Sequence, residues 1–324
     1  MEAYFDNSAT TRCYKEVADI VVKTMTEDFG NPSSMHLKGV EAEKYIRSTS
    51  GTLAKLLKVN EKEIIFTSGG TESNNLALFG GADANKRSGN HIITTSVEHA
   101  AVGQPVERLE QMGYEVTIIP VDERGVVKLD ALEKALRPDT ILVSTMYVNN
   151  EVGAVMPVEE IAKLVHEKSP KALYHVDAIQ AFGKYVIYPK RMGIDMMSIS
   201  SHKFHGPKGV GALFIKDRVK VKPVIYGGGQ QGGMRSGTEN VPGIAGMALA
   251  AEMTYRDLDA NVAHMRELKE HLIDELTQID DVYSNSGDAP HIASITFKGV
   301  RSEVMLHALE EKGIYVSSGS ACSS

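Results

Sequence analysis

The chain has 324 residues, 42% hydrophobic and 24% charged, the balance of an ordinary globular protein of one large domain with a smaller companion. Its net charge of -7 argues against a nucleic-acid partner; no apolar run approaches the roughly 20 residues that span a bilayer, and the opening MEAYFDNSATT lacks the basic flank and apolar core of a secretory signal. Two cysteines, Cys13 and Cys322, are too few for a disulfide framework, so the expected setting is a reducing cytoplasm in which a thiol stays free.

The first strand-like run in the core of the chain, Glu63–Ser68, leads into FTSGGTESNN (Phe66–Asn75). Two glycines allow a tight turn, and a helix is expected from Thr71 or Glu72, whose exposed amides suit a phosphate. The run lacks the lysine of a Walker loop and the spacing of a dinucleotide fingerprint, and a plain capped helix has the same appearance. His91–Ser96 is the next strand, followed by SVEHAA with His99. A histidine at a strand end is usually structural, but its flat ring also suits stacking on a flat cofactor.

Strands Glu115–Val121 and Thr140–Val148 enclose the helical pattern Leu129–Leu136, and VEEIAKLVHEK (Val158–Lys168) repeats at helical spacing. Leu173–Ala178 runs into HVDAIQ (His175–Gln180). Asp177 closes this apolar strand, where an unpaired carboxylate is costly; either a pyridinium nitrogen or a buried Arg or Lys would satisfy it. Met196–Lys203 overlaps SISSHKFHGPKG (Ser198–Gly209) and ends in Lys203 beside His202. A lysine there is either solvated or a Schiff-base nucleophile made neutral by burial. Val210–Lys216 is the seventh strand.

A long helical stretch, Gly243–Ile279, then links to short strands at Ala293–Lys298 and Ile314–Ser317 with a helix at Glu303–Lys312 between them. The last eight residues, SSGSACSS, surround Cys322 with small side chains: an accessible nucleophile, or a tail with an incidental thiol. Seven strands with helical crossovers mean a mostly parallel α/β sheet covered on both faces, with ligands beyond the carboxyl ends of its strands. A large domain is expected over residues 12–255, with residues 1–11 and 256–324 forming a small α+β domain.

Taken in order, DNSATT (Asp6–Thr11), FGNPSS (Phe29–Ser34), SGGTESNN, VEHAAV, NNEVGAV (Asn149–Val155), HVDAIQ, SSHKFHGPKG, GGGQQGGMRSGTEN (Gly227–Asn240) and SSGSAC resemble the cysteine desulfurases of the NifS/IscS type, in the class V aminotransferase group. The resemblance runs essentially end to end. It implies a fold-type-I pyridoxal 5'-phosphate homodimer that moves sulfur from L-cysteine to Cys322, leaving L-alanine. An iron–sulfur scaffold or a sulfur-carrier protein would be the acceptor.

Lys203 then corresponds to the lysine that anchors the cofactor, Asp177 to the partner of its ring nitrogen and Gln180 to that of its ring hydroxyl. His99 would stack on the ring and serve as base for Cys322. Gly70, Thr71, Ser200 and His202 would hold the phosphate, Thr238 would reach a phosphate across the dimer, and Asn150 would touch substrate and cofactor. No family role transfers to Cys13. Family members carry, beyond SGSAC, an RFSLG-like motif with an arginine for the substrate carboxylate. No such motif occurs before Ser324, so the small domain is expected to be C-terminally incomplete; Arg235 belongs to another motif. A related selenocysteine lyase or aminotransferase, or a catalytically weak cofactor-binding assembly protein, are the alternative expectations.

Overall fold

The computed structural model describes residues 2–319. In chain order its elements are β1 (Ala3–Tyr4), α1 (Lys15–Thr26), α2 (Leu37–Leu57), β2 (Ile64–Thr67), α3 (Gly70–Asn75), α4 (Gly81–Asn85), β3 (His91–Thr95), α5 (Ala100–Gln111), β4 (Glu115–Ile119) and α6 (Leu129–Ala135). There follow β5 (Thr140–Met146), α7 (Val158–Lys168), β6 (Leu173–Asp177), β7 (Met196–Ser200), β8 (Gly211–Ile215), α8 (Val241–Arg256) and α9 (Leu258–Leu276). The chain closes with β9 (Val282–Ser284), β10 (Ile295–Phe297), α10 (Ser302–Glu310) and β11 (Ile314–Tyr315). A π-helical turn, Leu76–Gly80, joins α3 to α4 without a break.

The central sheet has seven strands in the order β2-β8-β7-β6-β5-β3-β4. The seven are those expected from the sequence. From β4 across to β7 every pairing is parallel, whereas β8 runs antiparallel to both β7 and β2. The carboxyl ends of β2, β3, β5, β6 and β7 therefore share one edge. Successive residues point to opposite faces: Ile92, Leu142, Met196 and Leu213 join one apolar cluster, and their neighbours Ile93, Val143, Met197 and Phe214 join the other. Both faces are covered, which is why these strands read as continuous apolar runs. Helix α7 shows the complementary pattern, burying Val158, Ile161, Ala162 and Val165 at helical spacing.

The expected helix Gly243–Ile279 is two helices. Asp257, at φ -113° and ψ 23°, breaks the run between α8 and α9. Helix α8 begins at an Asn240 cap, whose Oδ1 accepts from Gly243 N at 3.0 Å, and packs against α1 and α2. Outside the main sheet, β9 pairs antiparallel with β10, and β1 pairs parallel with β11. Ser317 donates to Asp6, adding a side-chain tie beside the β1–β11 pair.

Candidate active site

Lys203 and Asp177 leave the sheet from neighbouring parallel strands, β7 and β6, at the same edge. Asp177 is 5% exposed; its carboxylate accepts from Asn74 Nδ2 at 2.7 Å and from the Ile179 amide at 3.0 Å. Burial raises its carboxyl above the ordinary range, while those two hydrogen bonds and the charges of His99 and Lys203 pull the other way. Lys203 lies in the helical turn after β7 and donates through Nζ to the carbonyls of Ser8 (2.5 Å) and Ala9 (2.8 Å). The DNSATT strip thus lies directly on the lysine. Gln180, 6% exposed, donates to the same Ser8 carbonyl at 2.8 Å and faces His291 Nε2 at 3.4 Å through its Oε1.

The glycine turn sits beside these groups. The helix begins at Gly70, one residue before the expected Thr71, because Gly69 takes φ +151° and turns the chain sharply into α3. A Cβ on Gly70 would lie 2.1 Å from Ile179 Cδ1 and 3.5 Å from Ser200 Cβ, so bare backbone is packed against the end of β7. Ser200 is 3% exposed and Thr71 is exposed. His202 Nδ1 lies 3.1 Å from Thr10 Oγ1, and burial, then the charges of Lys203, Lys208 and Lys184, lower its imidazole to about 4. Arg235 grips Glu72 at 2.8 and 3.2 Å, pinning the RSGTEN segment to the start of α3; Thr238 stands exposed on that segment.

His99 caps α5, its Nδ1 accepting from the Ala101 amide at 3.0 Å. In a neutral ring that bond leaves the proton on Nε2. The neighbouring NNEVGAV loop is organised by Asn149, whose Oδ1 accepts from the amides of Glu151 and Val152 and whose Nδ2 donates to Val97 O at 3.2 Å. Asn150 is half-buried in that loop. Cys13 is half-buried, with its thiol pushed up chiefly by burial. Cys322 lies outside the described residues.

Five groups here were not singled out as site residues in the sequence: Ser8, Asn74, Glu98, Lys184 and His291. Lys184 Nζ donates to the Lys203 carbonyl at 2.5 Å, and burial with the Lys203 charge lowers its amine to about 7. Glu98 immediately precedes His99, a signal available in the sequence; Asn74 acts from α3, and Ser8, Lys184 and His291 act from loops, and the approach of all four to the site depends on tertiary structure. Among the described residues no cluster of His, Cys, Asp or Glu is arranged to hold a metal, and no helix is long and apolar enough to cross a membrane.

The pattern of the aminotransferase class-V family matches residues 3–324. The chain is 45% identical to the cysteine desulfurase IscS of Dictyoglomus turgidum, across 100% of this chain and 82% of that protein. It is 44% identical to the cysteine desulfurase IscS of Methanosarcina thermophila, across 99% and 80%. Its fold superposes on a solved NifS-like protein with a TM-score of 0.96 at 41% identity, covering 98% of this chain and 88% of the other. The family pattern, the relatives and the solved structure lead to one assignment: the chain belongs to the aminotransferase class-V family, in the group that holds the NifS-like and IscS proteins.

Proposed function

We propose that this protein is a pyridoxal-phosphate-dependent cysteine desulfurase, taking sulfur from L-cysteine onto Cys322 and releasing L-alanine. The observation that carries the reading is the pairing of a lysine and a buried carboxylate, Lys203 and Asp177, at the ends of adjacent parallel strands. The side chains gathered at this sheet edge fit the cofactor. Asp177 is buried with neutral donors on its oxygens and a raised carboxyl, the setting in which a protonated ring nitrogen is a stabilising partner. Asn74 Oδ1 beside it is buried and without a partner, and the bare backbone at Gly70 faces Ser200, as a phosphate cradle requires.

In this reading Lys203 anchors the cofactor, Asp177 and Asn74 hold its ring nitrogen, and Gln180 its ring hydroxyl. His99 lies against the ring. Gly70, Thr71, Ser200 and His202 hold the phosphate, with Thr238 supplied to it by a second copy of the chain; Asn150 meets the substrate. When bound, pyridoxal phosphate supplies a sink for the electrons left at the substrate Cα. Lys203 takes the proton from Cα and holds it for return. The Cys322 thiolate attacks the substrate sulfur: the S–S bond forms, the C–S bond breaks with its electron pair left on carbon, and that carbon is protonated to the methyl of alanine.

An ordinary thiol, with pKa near ~8.5, is only a few per cent ionised at neutral pH, so Cys322 needs a base or a donor that stabilises the thiolate. In this reading His99, whose Nδ1 accepts from the Ala101 amide, meets that need. An iron–sulfur scaffold or a sulfur carrier receives the sulfur, and the setting is the cytoplasm. Purified protein supplied with pyridoxal phosphate should absorb at the edge of the visible, and Lys203→Ala should abolish the band. Cys322→Ala should keep the band and lose alanine production from L-cysteine; retained production would assign a lyase that extrudes sulfur without this thiol.

A further inference from the structure

Glu98 is a buried acid that the reaction above does not use. Its Oε1 accepts from Thr95 Oγ1 at 2.5 Å, at the end of β3, and from the Met146 amide at 2.9 Å, at the end of β5. Its Oε2 is buried and has no hydrogen-bond partner. One side chain therefore ties two neighbouring strand ends together in the turn that immediately precedes His99. The same turn is held from a second side by Asn149 Nδ2 on the Val97 carbonyl. His99 in turn fixes the first residues of α5 through the Ala101 amide.

We propose that Glu98 is a positioning residue: by clamping the ends of β3 and β5 it sets where His99 stands over the site. The inference rests on the role given to His99 in the reading above. Glu98 acts as a neutral acid. Burial raises its carboxyl to about 8, with the Asp177 charge adding to the rise and the bonds from Thr95 and Met146 opposing it. The titratable groups facing it are Asp177 and Tyr174 of β6, together with His99 of its own turn; Tyr174 is itself held neutral, chiefly by burial. Since Oε1 accepts two hydrogens, the acid proton belongs on Oε2. Above about pH 8 the side chain becomes a second buried anion near Asp177, which works against the electron-accepting role of the site.

The test compares Glu98→Gln, a neutral isostere that keeps the acceptor oxygen, with Glu98→Ala, which removes the clamp. In the full chain without cofactor, Glu98→Ala should speed amide hydrogen exchange at Met146 and Ala101 by about tenfold or more, and Glu98→Gln should leave it within about threefold. In the cofactor-loaded protein, Glu98→Ala should lower kcat by about tenfold or more and shift the circular dichroism of the bound cofactor toward that of His99→Ala. Glu98→Gln should keep the wild-type spectrum and lose the alkaline fall in kcat near pH 8. Unchanged exchange in Glu98→Ala, or loss of activity in Glu98→Gln equal to that in Glu98→Ala, would overturn the proposal. A wild-type protein that binds no pyridoxal phosphate would instead defeat the functional reading, leaving the exchange comparison intact.

Discussion

His175 sits at the centre of β6 with 0% exposure, its Nδ1 2.8 Å from Ser144 Oγ and its Nε2 2.9 Å from Ser198 Oγ. The two bonds lock β5, β6 and β7 together just beneath Asp177. Burial lowers its imidazole from 6.5 to about 3. The unfolded chain binds a proton at this ring below about pH 6.5, and the folded chain does not until about pH 3. The stabilising contribution is therefore complete above pH 6.5 and declines as the pH falls through that window. His175→Asn should remove the slope: the loss of unfolding free energy between pH 7 and 4.5, measured by urea titration, should shrink by about 2 kcal/mol. An undiminished loss would place the acid sensitivity elsewhere. In the sequence, Asp177 was legible as a carboxylate needing a cation and Lys203 as a candidate amine, because each ends an apolar strand. Lys184 and His291 were not, since their importance lies in what meets them across the fold.

Strands were read more easily than helices. Each of the seven central strands is an apolar run bounded by polar turns, and sequence alone located all of them. Their direction was not legible: nothing in Val210–Lys216 distinguishes an antiparallel strand. Helices α1 and α2 interleave apolar residues with Lys and Glu and leave Val22, Met25, Leu37 and Val40 exposed, so not every apolar residue in them marks a buried face. Asp257 ends α8 without the Gly or Pro that usually marks a break. The reversed β8 matters to the site through Gly211, whose added Cβ would lie 2.8 Å from Gly69 Cα and 2.7 Å from the Ile199 carbonyl. Gly211→Ala must push the Gly69 turn away from the sheet edge. We expect a loss of about 1–3 kcal/mol in stability and cofactor affinity weakened about tenfold, read by urea unfolding and by spectroscopic titration. If neither changed, the close approach would not be what shapes the turn.

For the whole molecule, the likeness to known proteins carries further than the layout of the chain, because substrate identity belongs to a pattern of side chains spread from Asp6 to Cys322. A site assembled from so many segments exists only in the folded state, so the cofactor should act as a stability ligand. At a hundred times its dissociation constant it should add about 2.7 kcal/mol to unfolding, raising the melting temperature of the wild type. Lys203→Ala, lacking the anchor, should show a smaller rise at the same concentration; an equal rise would mean that the anchor adds nothing to binding.

The carbonyls of Ser8 and Ala9 that grip Lys203 are made well before it, whereas His291, which faces Gln180, is made after both Gln180 and Lys203. During synthesis the opening strip must wait, unplaced, for an amine made nearly two hundred residues later. A nascent chain arrested before residue 203 has nothing to cage, so the reactive lysine is never displayed on a half-built protein without its cover being already at hand.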